Sequence, residues 1–287
     1  MVWRSVITLS IRRVGVVVKK GSVQGYEIAQ RLLSYGDEVL GLDMYIDEEV
    51  SPDIKWSKVF RVGIDPIDLV AVIGGDGTFL RTFHRIGYKE IPVMAIRIGR
   101  RGFLLDVKPE EALERLKDVV EGRYMVLKYM RLEASSDRSG ISMPLALNDI
   151  VIVGWSYTRA KIISLSIYVD GEHLYSIDGD GVIVATPLGS SAYVLSAGGP
   201  IVDVDLESIV VVPLAPIQFN AKPVVLSSNK TVEVKILGDS GPTACIVDGQ
   251  SIEMVNPGET IVIRKAVSRA KVLRFHRVNT YARLHGM

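Results

Sequence analysis

Cysteine is nearly absent from this 287-residue sequence, and long apolar runs are missing. The single Cys245 cannot form an internal disulfide, which indicates a reducing cytoplasm. No apolar run reaches the roughly 18 residues that a membrane-spanning helix needs. Residues 1–9 are apolar but lack the core and cleavage site of a signal peptide. These absences predict a cytoplasmic protein with no membrane partner.

Positively and negatively charged side chains are nearly equal in number. The sequence has 34 Lys and Arg against 33 Asp and Glu, a net charge of +1, so nothing draws the whole molecule to nucleic acid. Residues 264–287 do carry seven Lys or Arg and no acid. A nucleic-acid-binding tail is one interpretation of that segment, but we expect no nucleic-acid partner.

Two common site patterns are missing. The four histidines have no metal-ligand spacing with Cys245, so we propose no structural zinc site; they are His84, His173, His276 and His285. No Walker-type Lys-Ser/Thr pair is present, so a nucleoside triphosphate must be held differently from P-loop enzymes. Cys245 lies in an apolar strand and is expected to be an inert core residue.

The chain has two halves with different patterns. Hydrophobic residues make up 48 % of the chain, enough for a large core. The first half alternates strands with helices, which implies a parallel sheet with helices on its faces. Its predicted strands are residues 13–18, 37–42, 69–73 and 91–96, and its helices are residues 23–35, a segment with Phe79, Leu80, Phe83 and Ile86 on one face, and residues 109–121.

From residue 125 to residue 264 almost every segment is typical of a strand, and only residues 190–197 look helical. We therefore predict an α/β domain over residues 1–124 and an all-β, sandwich-like domain over residues 125–264. The strands expected in the second domain are residues 125–134, 145–153, 161–169, 181–186, 209–212, 231–236 and 260–263.

The most informative segment is residues 69–80, where an apolar strand enters a Gly-Gly-Asp-Gly turn and leaves as an amphipathic helix. Backbone N–H groups and the helix dipole at such a turn attract phosphate, and glycines let a ligand approach closely. The candidate positions are Gly74, Gly75, Gly77 and Thr78. The carboxylate of Asp76 would repel phosphate, so it faces a hydroxyl or a metal ion. A kinase is the leading interpretation; a tight connection with Asp76 as helix cap is the alternative.

A second glycine-rich stretch, residues 178–201, again runs from an apolar strand through a polar loop into a helix. Hydroxyl groups beside two carboxylates, Asp178 and Asp180, suit recognition of a purine and a ribose; these hydroxyls belong to Thr186, Ser190, Ser191 and Tyr193. A hairpin followed by a helical turn that Ser190 caps would explain the same residues without a ligand. Asp178 either helps to hold Mg²⁺ or stabilises a turn, and the sequence favours neither interpretation.

With these two elements the chain resembles the NAD kinase family. The other matching elements, in the family's order, are Asn148-Asp149 after an apolar strand, residues 212–216 and Asp248-Gly249-Gln250. The glycine-rich turn also occurs in lipid and sugar kinases, whereas residues 180–201 are highly specific. The resemblance implies the two-domain fold of that family, with residues 265–287 returning to the first domain.

The resemblance also implies transfer of a phosphoryl group from ATP, or from polyphosphate, to the adenosine 2′-hydroxyl of NAD, with Mg²⁺ or another divalent cation. Asp76 would hold that hydroxyl, Asp149 would bind the nicotinamide-side ribose, and Tyr193 would stack on or pack against the adenine. Residues implied on the adenine side are Asn148, Ser191 and Ala192, with Asp248 and Gln250 in a further binding motif. Family members form homodimers or homotetramers, in which Asp180 would reach the adenine amino group across the interface.

Some residues depart from the family pattern. Asp149 stands where Glu is usual, Leu188 where Thr is usual, and Arg97 where Asn is common. Gln218-Phe219 replaces a His-Ser type sequence. Arg97 belongs to a cationic loop with Arg100 and Arg101, which either clamps phosphate or forms a solvated turn.

Two other functions remain open from the sequence. A lipid or sugar kinase would share the glycine-rich turn but would leave residues 180–201 unexplained. A catalytically silent NAD-binding sensor would be favoured by loss of Asp76, which is present.

Overall fold

The computed structural model describes residues 10–99, 104–138, 143–155, 162–238 and 240–275. The chain divides into two compact units. The first comprises the residues up to Lys128 and those from Ala270 onward, and the second is Tyr129–Arg269. Among the described residues, no helix is both long and apolar enough to cross a membrane.

In the described part of the first unit there are a seven-stranded sheet and three α-helices. Its strands are β1 Arg13–Val18, β2 Asp43–Asp47, β3 Val59–Phe60, β4 Leu69–Gly74, β5 Val93–Arg97, β6 Met125–Tyr129 and β18 Ala270–Arg274, in the order β3-β2-β1-β4-β5-β18-β6. Its helices are α1 Val23–Ser34, α2 Asp76–Ile86 and α3 Ala112–Val120. The neighbours from β3 through to β18 run parallel, as the alternating pattern predicted.

The predicted strand at residues 37–42 is wrong. After α1 the chain continues as a π-helical turn over Tyr35–Val39, and the strand begins only at Asp43. Gly36 does not end the helix but lies within the π-helical turn. A Cβ at this position would lie 2.4 Å from Met44 Sδ, so the close approach of the turn to β2 requires glycine. The π-helical turn brings the end of the helix close to the next strand. A glycine in the sequence predicts where a helix ends but does not reveal such a contact.

The apolar faces predicted for the helices are confirmed. In α2 the residues Phe79, Leu80, Phe83 and Ile86 are buried, and Phe79 and Phe83 meet edge to face. The predicted helix over residues 109–121 begins as a 3₁₀ turn at Pro109–Glu111 and continues as α3. The core of this unit lies where α1 and α3 cover the sheet, around Leu32, Leu116 and the buried strands.

The second unit is a β sandwich, as predicted. One sheet has the order β10-β9-β14-β17-β7 and the other β13-β12-β11-β8-β15-β16. The strands are β7 Leu132–Ser136, β8 Asp149–Gly154, β9 Ile163–Val169, β10 Glu172–Gly179, β11 Gly181–Ala185, β12 Ser208–Leu214, β13 Val224–Ser227, β14 Val232–Ile236, β15 Thr243–Val247, β16 Ser251–Val255 and β17 Thr260–Lys265. The predicted strand over residues 125–134 is two strands, β6 and β7. Strands β10, β13 and β16 carry alternating exposed positions and were not predicted.

One continuous core joins the two sheets, with Leu165 from one and Val184 from the other. Cys245 belongs to it, and burial raises the pKa of its thiol to about 12, which keeps it protonated. The outer face of the six-stranded sheet is also apolar, and Val194 of the short helix α4, Tyr193–Ser196, packs there. Strand β11 is therefore buried on both faces, which explains its unbroken run of apolar residues.

Candidate active site

The glycine-rich turn joins strand β4, which is buried along its whole length, to helix α2. A Cβ on Gly74 would lie 2.6 Å from Thr78 Oγ1, so only glycine lets the first helical turn fold back over the strand end. Gly75 is the N-cap residue of α2, and Gly77 is exposed. The turn therefore presents backbone and helix N-terminus with few side chains in front of them, as anion binding requires.

Asp76 is the first residue of α2 and is partly buried. The alternative in which Asp76 is the N-cap is wrong, because Gly75 occupies that position. The Asp76 carboxylate instead accepts a hydrogen bond from the backbone N–H of Leu104, with 3.0 Å between nitrogen and Oδ1. A carboxylate offers about four acceptor sites, so this bond does not exhaust its capacity.

Arg97 lies at the carboxyl end of β5, where it pairs in register with Gly74 of the neighbouring strand. The backbone N–H of Ile98 donates to the Gly74 carbonyl at 2.8 Å, which ties the two strand ends together. Arg97 is half-buried at the same sheet edge as the glycine-rich turn. Arg100 and Arg101, the other members of the predicted cationic loop, lie outside the described residues.

The second unit contains a cavity of about 480 Å³, a volume that suits a nucleotide-sized ligand. Its walls are built from the start of β8, the turn between β15 and β16, and the start of α4. The lining residues are Asn148, Asp149, Val151, Val153, Ala192, Tyr193, Ile246, Asp248 and Gly249. The structure thus brings five predicted site residues, Asn148, Asp149, Ala192, Tyr193 and Asp248, to one cavity.

Asp248 shapes this cavity through the backbone. Its carboxylate accepts hydrogen bonds from the N–H groups of Leu147, Asn148 and Asp149, at 2.8, 2.7 and 3.0 Å. Asp248 has a positive φ of 49° in the turn between β15 and β16. One buried carboxylate therefore fixes the segment that carries both Asn148 and Asp149.

Asp149 is the most perturbed acid in the cavity. It is buried, and this burial raises the pKa of its carboxyl to about 7, with a further contribution from the charge of Asp248. Near neutral pH the carboxyl can therefore either donate or accept a hydrogen bond, which suits a ribose hydroxyl.

The raised pKa predicts how stability depends on pH. The folded protein keeps the Asp149 proton between about pH 4 and pH 7, whereas the unfolded chain loses it, so stability falls as pH rises through this window. Asp149→Asn should remove this loss, so between pH 4 and pH 8 the free energy of unfolding should fall by about 4 kcal/mol less in the variant than in the wild type. Denaturant unfolding of both proteins across this range measures the difference. Parallel curves for the two proteins would contradict it.

The hydroxyls predicted to contact a ligand mostly serve the protein backbone. Thr186 is fully buried, donates to the Leu147 carbonyl at 2.7 Å and accepts from Gly189 N–H at 3.1 Å. Ser190 is fully buried too; its hydroxyl donates to the Pro187 carbonyl and accepts from Val202 N–H. Ser191 donates to the Leu188 carbonyl. None of these three lines the cavity, so they support its wall.

The loop after β11 lies directly on the segment before β8. A Cβ on Gly189 would lie 2.1 Å from the Asn148 carbonyl oxygen, so this approach requires glycine. The predicted helix over residues 190–197 is a 3₁₀ turn at Gly189–Ser191 followed by α4. Ser190 is therefore not the helix cap; Ala192 precedes α4, without a capping side chain.

The remaining predicted residues lie away from the cavity lining. The Asp178 carboxylate accepts hydrogen bonds from Ser164 at 2.5 Å and from Gln218 at 2.7 Å, and Gln218 also accepts from Asp178 N–H. Asp178 lies within strand β10 rather than in a turn. Asp180 and Gln250 are exposed.

No metal cage is formed by the described residues: no group of three or more His, Cys, Asp and Glu side chains among them could hold an ion.

Sequence reasoning missed Leu104, which positions Asp76 through its backbone N–H. A backbone donor leaves no signal in residue types, so no pattern could have indicated it.

Comparisons with known proteins assign the α/β unit and the β sandwich to the two domains of one kinase family. The ATP-NAD kinase N-terminal domain matches residues 14–124, and the ATP-NAD kinase C-terminal domain matches residues 147–275. The chain belongs to the NAD kinase family.

Relatives from archaea match most of the chain. An NAD kinase of Aeropyrum pernix is 38 % identical over 91 % of this chain and 92 % of its own length. One of Methanothermobacter thermautotrophicus is 35 % identical over 91 % of each chain.

Solved structures are similar over the whole fold. Yeast NADH kinase complexed with NADH has a TM-score of 0.86 and 25 % identity, covering 96 % of this chain and 86 % of that one. An NAD kinase from Archaeoglobus fulgidus in complex with ATP has a TM-score of 0.74 and 29 % identity, covering 95 % and 97 %.

Proposed function

We propose that this protein is an NAD kinase that transfers the terminal phosphoryl group of ATP to the adenosine 2′-hydroxyl of NAD, giving NADP. The observation that carries the proposal is the Asp76 carboxylate, fixed at the strand-to-helix turn in a chain that matches both ATP-NAD kinase domains. The lipid or sugar kinase alternative is not favoured, since two relatives that each match 91 % of this chain are NAD kinases.

In this proposal Asp76 orients the 2′-hydroxyl and accepts its proton late in the reaction. An aspartate carboxylate is a weak base toward a sugar hydroxyl, but phosphoryl transfer passes through a loose transition state that mainly needs alignment and charge neutralisation. The backbone at Gly74, Gly75, Gly77 and Thr78 supplies donors for the phosphates, and Arg97 supports them as a cation at the same sheet edge. The divalent cation enters with ATP as part of that substrate.

The cavity of the second unit binds NAD in this proposal. Asn148, Ala192 and Tyr193 contact the adenine, and Asp149 contacts the nicotinamide-side ribose. Thr186, Ser190, Ser191 and Asp248 act by holding the walls. Asp149 is about one methylene shorter than the usual Glu, so it favours a ribose seated deeper in the cavity.

We also propose a homodimer or homotetramer, in which Asp180 contacts the adenine amino group of NAD bound to a neighbouring subunit. The support is that Asp180 is exposed in the turn between β10 and β11. The cytoplasmic location predicted from the single cysteine stays a prediction.

A panel assay tests the function. The protein is incubated with Mg²⁺ and either ATP or polyphosphate, with NAD, NADH, diacylglycerol or a hexose as acceptor. We expect NADP from NAD and ATP. Phosphorylation of a lipid or sugar with none of NAD would contradict the proposal, and tight NAD binding without NADP would support a sensor.

Tyr193 offers a test of the adenine position. Stacking of a base on an aromatic ring contributes about 1 to 3 kcal/mol, so Tyr193→Ala should raise the KM for NAD by about tenfold with little change in kcat. Tyr193→Phe keeps the ring and serves as the matched control, with a KM close to that of the wild type. Equal KM values for all three proteins would remove Tyr193 from the binding site.

A further inference from the structure

Leu104 is fixed by hydrogen bonds at both of its peptide groups. Its N–H donates to Asp76 Oδ1 at 3.0 Å, and its carbonyl accepts from Arg274 Nη1 at 3.0 Å. Leu104 itself is buried. The donor that positions the Asp76 carboxylate is therefore itself held by a side chain far along the sequence.

That side chain is one of the most buried in the molecule. Arg274 is the last residue of β18 and is 1 % exposed. The Nη1 atom that holds the Leu104 carbonyl also donates to Asp106 Oδ1 at 2.8 Å. All four residues of this series, Asp76, Leu104, Asp106 and Arg274, belong to the first unit.

A buried ion pair is a poor way to gain stability, because desolvation of both charges offsets most of their attraction. What a guanidinium does provide is rigid, planar donor geometry, which can hold a carbonyl and a carboxylate at once. Here the two acceptors are the Leu104 carbonyl and the Asp106 carboxylate, which lie within one three-residue segment. The same segment carries the Leu104 N–H that donates to Asp76.

We propose that Arg274 and Asp106 are positioning residues for Asp76, acting through the backbone of Leu104. This inference rests on the proposed function. The Asp106–Arg274 pair holds the Leu104 peptide groups, and the Leu104 N–H holds the carboxylate in the orientation that the 2′-hydroxyl needs. Misplacement of a reacting group by about 1 Å lowers a rate by on the order of 100-fold, so a loosened Leu104 should be visible in kcat.

Asp106→Asn tests this with a matched control, Asp118→Asn. Asp118 lies on α3 in the same unit, is 4 % exposed and is paired with Arg115 and Arg123, but it has no link to Leu104. Both variants should melt at lower temperature than the wild type. Only Asp106→Asn should lower kcat, by roughly 10- to 100-fold, with the KM values for NAD and ATP unchanged. Equal kcat losses in the two variants would overturn the proposal.

A double-mutant cycle with Asp76→Asn separates positioning from general damage. If Asp106 acts through Asp76, then Asp106→Asn should change kcat by less than about twofold in the Asp76→Asn background. The same fold loss in both backgrounds would overturn the proposal.

Hydrogen exchange at the Leu104 amide gives a readout that does not depend on activity. It should be faster in Asp106→Asn and in Arg274→Lys, and unchanged in Asp118→Asn. If the wild type is active but Asp106→Asn changes neither the exchange of the Leu104 amide nor kcat, the positioning role is refuted and the proposed function stands. A wild type that forms no NADP refutes the proposed function, and the catalytic role of the pair with it.

Discussion

Asp76→Asn should lower kcat by about 100-fold or more, equivalent to about 2.7 kcal/mol of transition-state stabilisation, while the KM for NAD changes by less than about threefold. Asparagine keeps an oxygen that can accept from Leu104 N–H, so the local fold is retained. It loses the negative charge that, in the proposed mechanism, orients the hydroxyl and takes its proton. Steady-state kinetics with NAD and ATP measures both constants.

Asp65→Asn is the control for that experiment. Asp65 lies in the first unit, is partly exposed and accepts from Arg61 N–H at 2.7 Å. The same change of charge there should leave kcat as in the wild type. Near-normal turnover by Asp76→Asn would remove Asp76 from the mechanism.

Asp248→Ala should be the most damaging change in the second unit. It leaves three backbone N–H groups without their acceptor, those of Leu147, Asn148 and Asp149. Each such group costs about 1 to 3 kcal/mol, so the free energy of unfolding should fall by roughly 3 to 9 kcal/mol. Because the freed segment carries two cavity residues, NAD binding should weaken as well. Thermal melts and titration with NAD measure the two effects.

Asp170→Ala provides the matched control. Asp170 also has a positive φ, 51° against 49° for Asp248, and also precedes a glycine with positive φ. The strain of an alanine at such a φ is therefore common to both variants. The Asp170 carboxylate, however, is 40 % exposed and bonds to Thr231 N–H and Lys230. Equal stability losses in the two variants would show that the buried N–H groups are not the cause.

The sequence predicted what depends on local pattern. The parallel sheet, the β sandwich, and the strand, turn and helix around Asp76 follow from periodicity and glycine placement, and the structure confirms them. The strand predicted at residues 37–42 is wrong because the chain first makes a π-helical turn over Tyr35–Val39, where Gly36 lies against the side chain of Met44, and local pattern does not reveal that contact.

The site was less predictable than the fold because hydrogen-bond partners are set by contacts remote in sequence. The hydroxyls of Thr186 and Ser190 fit a ligand as residue types, yet both are used by backbone groups. Leu104 lies 28 residues from Asp76 and 170 residues from Arg274. In the sequence, Arg274 was merely one cation in a basic segment.

Strand β18 lies between β5 and β6 in the sheet of the first unit, although it follows the whole β sandwich in the chain. Domains fold largely as they leave the ribosome, N-terminal parts first. During translation the first unit therefore has an open slot in its sheet until the sandwich has been made. The guanidinium that holds Leu104 arrives with β18, so the first unit gains this support for Asp76 only after the sandwich has been synthesised.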